Sequence, residues 1–486
     1  MVALYALLFG TLVVLRHASF VTQTWDLGIF VQTFWNASHG RGLVNTIEQV
    51  PHHLGVHFSP VLYLLVPGYA LFQGLSAQAG LYYLLLVQTL ALALGAWPLY
   101  LLAKRILARY GVVSSFWPLA LSAGYLLSPS LHALNLFDFH EAALIVPLLL
   151  GALYFLDAEK WLSAGLFLVL SAGVKEEAPL VILFVGLFLL VTARHSLAEP
   201  PASVRTRRMI AGGIALCALL YFFLVIKVFM PAEGGALFRI DRYAELGETG
   251  SAIITTVFTN PLLLLHTVAT LPKVTYVFWL LLPVLFLPLL SWRALLLLVP
   301  GLAENLLTNY APQFSGLYHY DAMLIPGMFV ATIYGVGALL TRFPQKEKIF
   351  CALFLGTLGI GFLAHSPIRL TQFPTDYFTT TPQTSAYQNL VRLVPPTVSV
   401  SAHTNLVPHL ASREKVYVAG AEPEQTDVVL LNTADLFGFG SEEVFANYLK
   451  RYETSGNYNL YVFDDRYIVL LNKKLQVKGL PAQAKQ

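Results

Sequence analysis

Charge is what this sequence has least of. Only 12% of its 486 residues are Asp, Glu, Lys or Arg, against roughly 25% in an average soluble domain. With 56% hydrophobic residues and a mean hydropathy of +0.64, this excludes an ordinary soluble chain and implies a polytopic membrane protein. A net charge of +3 without an aromatic-interleaved basic run offers nothing to nucleic acid. Cysteine is scarce as well. Cys217 and Cys351 both sit in apolar segments, which leaves neither a disulfide framework nor a thiolate metal site. The start of the chain lacks a basic n-region and an A-x-A site, so it reads as a first span rather than a cleaved leader. Neither an H-E-x-x-H spacing nor a glycine-rich phosphate loop nor an obvious repeat is present.

What is there is a succession of apolar runs near 3–20, 79–103, 113–130, 142–158, 161–175, 177–193, 209–230, 274–292, 294–308, 322–342 and 349–365. Measured against a span of about 20 residues, they predict about eleven membrane helices. Basic residues fall in every second connector: Lys104, Arg105 and Arg109, then Lys160, then Arg194, Arg205, Arg207 and Arg208, then Arg293, then Arg342, Lys346 and Lys348. The positive-inside rule then places the N-terminus in the cytoplasm and the C-terminus outside.

The remaining connectors carry the unusual polar clusters. The stretch 22–60 holds Asp26, His39, Arg41, Glu48, His52, His53 and His57, and long ordered loops are usually functional. Within it Leu27, Phe30, Val31 and Phe34 share one helical face, predicting an interfacial helix over 26–38. A second interfacial piece is expected over 59–72, with Ser59 as N-cap and Pro60 at the first helical position. Asp26 fits an N-cap with Trp25 stapled onto Phe30. It equally fits a general base that takes a proton from an acceptor hydroxyl.

Asp138-Phe139-His140-Glu141 has the spacing of a capping box, which leaves His140 unexplained. A divalent metal held by His57, His140 and either Asp138 or Glu141 is the functional alternative. Lys175-Glu176-Glu177 ends one apolar run, where three adjacent charges must pair or face water. Lys175, with Arg16 and Lys227, is suited to neutralising a phosphate at headgroup depth. Glu304 is a further acid within an apolar run, and Tyr318-His319-Tyr320-Asp321 would line the same cavity or join an aromatic belt. Asn260-Pro261 would open one more apolar helix.

From 366 the composition changes. A Pro/Thr-rich linker (366–383) leads to β-like runs at 397–403, 415–420, 427–433, 460–465 and 467–472, alternating with helical stretches at 384–394 and 441–453. This predicts a small α/β domain over 384–486 whose last two strands form a hairpin at Asp464-Asp465-Arg466. The chain as a whole reads as a polytopic α-helical membrane protein (1–365) carrying a small extracytoplasmic α/β domain.

The ordered set WDLGIF, HFSP, DFHE, KEE and YHY, with SAHTNLVPHLASR near the end, resembles a prokaryotic multi-pass family of predicted membrane proteins of unknown function. That family is distantly similar to the GT-C glycosyltransferases, which use polyprenyl-phosphate-linked sugars on the external face. The resemblance implies a GT-C-like transmembrane domain, with an essential acid and two interfacial helices in the first external loop. It makes Asp26 the catalytic acid of that loop, and Asp138 and Glu141 the acidic motif of the second. Arg16, His57, His140, Lys175, Glu176, Lys227, Tyr318, His319 and Tyr320 would bind substrate. The expected partners are a lipid-linked sugar donor and membrane lipids, not nucleic acid; a divalent metal is the one cofactor considered. The sequence departs from the commoner pattern in having one acid, not an adjacent pair, in the first loop. A transporter or lipid flippase, or a non-catalytic envelope assembly protein, is the rival reading. Repeated halves with midplane charges, which a transporter would favour, are not apparent.

Overall fold

The computed structural model describes residues 1–193 and 201–475. Arg194, one of the residues used above for orientation, lies outside the described residues. The chain resolves into two compact units. The first comprises Met1–Gly10, His57–Leu62 and Val87–Pro374; the second comprises Thr11–Val56, Tyr63–Leu86 and Thr375–Gln486.

The first unit is helical. Every apolar run predicted above contains helix. Among the described residues four helices are long and apolar enough to cross a membrane: Ala77–Arg109, Ala202–Ala232, Ile325–Arg342 and Pro344–Gln372. Others are shorter apolar helices, such as Trp161–Ala172 and Ala178–Thr192. Proline and short 3₁₀ turns explain several interruptions. The run 113–130 is cut at Ser128-Pro129 into Phe116–Leu126 and Pro129–Phe137, because proline starts a helix well and continues one poorly. Helices Ala178–Thr192 and Pro201–Leu224 pack through Gly186. A Cβ there would lie 2.7 Å from the Ala215 nitrogen, a close approach that small residues allow between apolar helices. Asn260 caps the expected helix Pro261–Val268, accepting from Leu263 N–H at 3.1 Å. This helix turns back on Gly250–Thr259 at 103°.

The second unit contains the predicted α/β domain. Strands β1 (Val400–Ala402), β2 (Val416–Val418), β3 (Val428–Asn432), β4 (Tyr458–Phe463) and β5 (Tyr467–Asn472) form one sheet in the order β2-β1-β3-β5-β4. β1 is parallel to β2 and β3, while β5 is antiparallel to β3 and β4. The β4–β5 turn places Asp464 and Asp465 at φ 50° and 51°, a conformation aspartate tolerates and tight hairpins require. Helix Glu442–Thr454, capped by Ser441, lays Phe445, Tyr448 and Tyr452 on Val429, Leu431 and Leu470.

The same unit takes in most of the first loop. Helix Ile29–Ser38 follows a π-helical turn at Thr24–Gly28. It is buried on nearly all sides, Gln32 and Thr33 included, so 26–38 is a core helix and not the amphipathic surface piece expected. Its polar residues have partners far along the chain. Gln32 donates to the Glu414 carbonyl at 2.9 Å. Thr46 donates to the Val416 carbonyl at 2.7 Å and accepts Val416 N–H at 3.2 Å. That closes the open edge of β2, which would otherwise present unpaired backbone groups. Thr24 donates to the Thr404 carbonyl at 3.0 Å, and Asn405 to the Phe20 carbonyl at 2.6 Å. His53 and Glu48 form a buried pair at 2.9 Å. The 59–72 piece is a 3₁₀ turn, Pro60–Leu64, followed by helix Val66–Gln73. It keeps Leu64, Leu71 and Phe72 exposed. Ser59 does not cap it: the Leu62 amide bonds the Ser59 carbonyl, and the buried Ser59 hydroxyl has no partner among the described residues.

His409 stacks between His17 and Phe20 at centroid distances of 3.9 and 3.8 Å. Burial pushes its imidazole down to about 3. The folded state therefore binds its proton less readily than the unfolded chain does. The stability linked to His409 is full above the unfolded value of 6.5 and is lost as pH falls towards about 3. His409→Phe should accordingly show a smaller fall in melting temperature than wild type between about pH 7 and about pH 4.5, read by scanning fluorimetry. An identical fall in both proteins would refute this.

Candidate functional site

The chain between Pro129–Phe137 and Ile145–Asp157 turns extended at Asp138-Phe139-His140. Gln88, inside Ala77–Leu94, grips this segment from both sides: its amide donates to the Asp138 carbonyl at 2.9 Å and accepts His140 N–H at 2.8 Å. Thr89 adds a bond to Asn135 at 2.9 Å. A buried amide with both ends satisfied fixes a backbone firmly, so His140 and Glu141 project from a rigid support.

Three close acid–base pairs lie in this unit. His140 Nδ1 lies 2.9 Å from Glu141 Oε2. His57 Nδ1 lies 2.9 Å from Glu176 Oε1, while Glu176 Oε2 accepts Phe58 N–H at 3.0 Å. Lys175 Nζ lies 2.7 Å from Glu177 Oε1. His319 stacks on His140 at a centroid distance of 3.6 Å and 19° between rings. Val61 N–H donates to the Gly173 carbonyl at 3.0 Å, which ties His57 and Glu176 to the same scaffold.

Burial is the largest influence on each of these groups, and it resolves differently for each. It lowers His140 despite the neighbouring Glu141 carboxylate, and lowers His319 further. Both imidazoles are therefore neutral. Burial would raise Glu141, but His140, His57 and Lys175 outweigh it and hold the carboxyl well below the usual range. Glu176 is likewise lowered against burial by His57 and Lys175. Burial alone would lower Lys175, but Glu177, Glu176, Glu141 and Glu304 hold its ammonium well above the usual value. The Ala142 amide donates to His140 Nδ1 at 3.4 Å, so His140 caps the turn Glu141–Leu144. The His140 approach is off the direction of the ring N–H, so neither Glu141 oxygen receives a directed hydrogen bond among the described residues. Buried polar atoms almost always have partners, which makes Glu141 an exception.

A second layer surrounds the pairs. Arg242 lies over the Tyr310 ring at 4.1 Å and bonds Gln313 at 3.3 Å. Tyr243 donates to the Glu304 carbonyl at 3.1 Å. Tyr276 donates to Asp321 at 2.7 Å and accepts from Asn305 at 2.9 Å. Phe137 meets Tyr318 edge-on and tilts against His319.

Several expectations are corrected. Asp138 and Glu141 form no capping box, because Asp138 closes the preceding helix and Glu141 is the first residue of the next turn. Asp26 is no N-cap, since it lies within the turn Thr24–Gly28 that begins the helix. Trp25 is 45% exposed, unlike a staple. His57, His140 and Glu141 do not bring three ligand atoms to one point among the described residues; the two histidines serve separate carboxylates. Lys175 lies just beyond the end of Trp161–Ala172. Lys227 is exposed on the π turn Val225–Phe229 and, among the described residues, makes none of the cluster's contacts. Arg16 and Asp26 belong to the second unit, while His57, Asp138, His140, Glu141, Lys175, Glu176, Tyr318, His319 and Tyr320 belong to the first. Gln88 and Arg242 escaped the sequence reading. A lone glutamine in LLLVQTLAL was the available signal for Gln88.

Set beside solved structures, the chain is similar to the oligosaccharyltransferase of Archaeoglobus fulgidus in its apo form, with TM-score 0.43 and 10% identity, covering 98% of this chain and 75% of that one. The same enzyme tethered by a disulfide to an acceptor peptide containing the NVT sequon gives TM-score 0.43 and 10% identity over 98% and 76%. No curated protein matches the sequence. The family model for predicted membrane proteins named DUF2079 matches residues 16–469, nearly the whole chain, and the protein belongs to that family.

Proposed function

We propose that the protein is a membrane glycosyltransferase that takes a sugar from a polyprenyl-phosphate carrier on the extracytoplasmic face. The observation that carries this reading is Glu141: an ionised, fully buried carboxylate without a directed donor, beside two neutral stacked imidazoles and one ammonium. Such a group is set to accept a hydrogen bond or a cation that arrives with substrate. The basic residues in alternate connectors support this side of the membrane. The reaction is a single displacement. Asp26 takes the acceptor O–H proton, the acceptor oxygen bonds the anomeric carbon, and the carrier phosphate leaves with the bonding pair, inverting the centre. Lys175 is enclosed by carboxylates, so it orients them more than it neutralises a phosphate. That surplus of carboxylate fits a divalent cation, for which Glu141 and His319 Nδ1, both without a hydrogen-bond partner among the described residues, are available. When bound, it would offset the charge of the leaving phosphate.

The test is transfer from radiolabelled polyprenyl-phosphate sugars in proteoliposomes of the full chain. Label should leave the lipid fraction for an acceptor with wild type, and about 10²-fold or more slowly with Glu141→Gln. Label that crosses the bilayer but stays on its carrier for every sugar tried would replace this reading with that of a flippase.

A further inference from the structure

His403, in the segment SAHTNLVPHLASR, follows directly on β1 at the carboxyl end of that strand. Its N–H donates to the Leu430 carbonyl of β3 at 2.9 Å, which seats it beside the neighbouring parallel strand. Asp435 lies three residues past the end of β3. Ligands of open α/β sheets bind outside the carboxyl ends of the strands.

The turn that carries Asp435 is held from several sides. Asn432 donates to the Tyr387 hydroxyl at 3.0 Å and accepts Ala434 N–H at 3.0 Å. Asp435 N–H donates to the Asn432 carbonyl at 3.2 Å, and Asp435 Oδ1 accepts Phe437 N–H at 3.1 Å. Asp435 Oδ2 lies 3.1 Å from His403 Nε2, with the imidazole 4% and the carboxylate side chain 54% exposed. Neither nitrogen of the His403 ring has a directed hydrogen-bond partner among the described residues, although buried polar atoms almost always do. Burial lowers His403 against the pull of the Asp435 carboxylate, so the imidazole is neutral and can act as a ligand.

A ring nitrogen and a carboxylate oxygen 3.1 Å apart, out of line for a hydrogen bond, are spaced as neighbouring ligands of one ion. With bonds of roughly 2.1 Å to each, the angle between them would be about 95°, near the right angle of octahedral coordination. Imidazole with carboxylate suits Zn²⁺ or Mn²⁺, whereas Ca²⁺ takes oxygen ligands. The exposed side of Asp435 leaves the remaining positions to water or to oxygens of an incoming ligand.

We propose that His403 Nε2 and Asp435 Oδ2 hold one divalent cation of the imidazole-accepting class at the carboxyl ends of β1 and β3. Both residues belong to the second unit and Glu141 to the first, and the site does not depend on the proposed transfer reaction.

Titration of the full chain in detergent with Mn²⁺, the free ion followed by electron paramagnetic resonance, tests it. Asp435→Asn keeps an acceptor for Phe437 N–H and with it the turn. It should weaken one Mn²⁺ at least about tenfold, since even groups behind a metal's ligands typically contribute about 10–100-fold. His403→Asn should lose the same ion, together with an imidazole nitrogen signal in spin-echo modulation. Glu141→Gln should keep that ion, whatever becomes of sugar transfer. Zn²⁺ should displace it at lower concentration than Ca²⁺. Equal Mn²⁺ binding, or none, by wild type and folded Asp435→Asn would overturn the site, as would displacement by Ca²⁺ as readily as by Zn²⁺.

Discussion

Asp26→Asn should leave a folded protein that transfers sugar about 10²–10⁴ times more slowly, the usual loss when a positioned general base is removed. Asparagine keeps the size and hydrogen-bonding reach of aspartate but cannot take up the acceptor's proton. The turn that carries it is held independently: Thr24 bonds the Thr404 carbonyl, and Asn405 the Phe20 carbonyl. Melting temperature should therefore stay close to wild type. The paired readout is transfer rate in proteoliposomes and scanning fluorimetry of the same preparation. Near-normal transfer would remove Asp26 from the chemistry and shift the base to Glu141.

Lys175→Met should be the most damaging change to stability. Removing one partner of a buried ion pair typically costs about 3–5 kcal/mol, and here the ammonium faces Glu177, Glu176, Glu141 and Glu304 at once. The pH dependence should shift towards lower pH as well. In wild type, Glu177 is raised and Glu304 is pushed up to about 8 by burial and the neighbouring carboxylates, whereas Glu141 and Glu176 are held below their unfolded value. Their contribution is present above about pH 4.5 and is lost as pH falls. Without Lys175 the crowded carboxylates would titrate above their unfolded value, so the folded state would bind more protons and lose stability as pH rises. The variant should melt higher near pH 5 than near pH 8. A variant that tracks wild type across that range would show that Lys175 does not balance the cluster.

Much of the C-terminal domain was legible because its signals are local. Short β-branched runs and an Asp-Asp turn each fix one element without help from elsewhere. The same holds for the apolar runs, whose helices follow from hydrophobicity. The first loop was harder to read. Gln32 and Thr46 look like free functional polar groups, yet they bond backbone some 370–382 residues downstream. No local pattern announces such a pairing. The DxxE spacing of Asp138 and Glu141 misled for a related reason: a helix had already filled the position where the cap was expected, and the Gln88 clamp that ends it comes from a helix 50 residues earlier. His140 and His319 are stacked across 179 positions of sequence, and only their membership of polar clusters hinted at it.

The bonds from Thr24 and Thr46 to the last part of the chain also set an order of events in time. The segment bearing Asp26 is made early, whereas Thr404 and Val416 leave the ribosome nearly 400 residues later. At about 5–20 residues per second, the loop waits roughly 20–80 s before its final partners exist. During that interval the proposed base lacks its native setting, so a nascent chain would be inert however well its membrane helices had inserted. A chain stopped before residue 404 would stay inactive for the same reason.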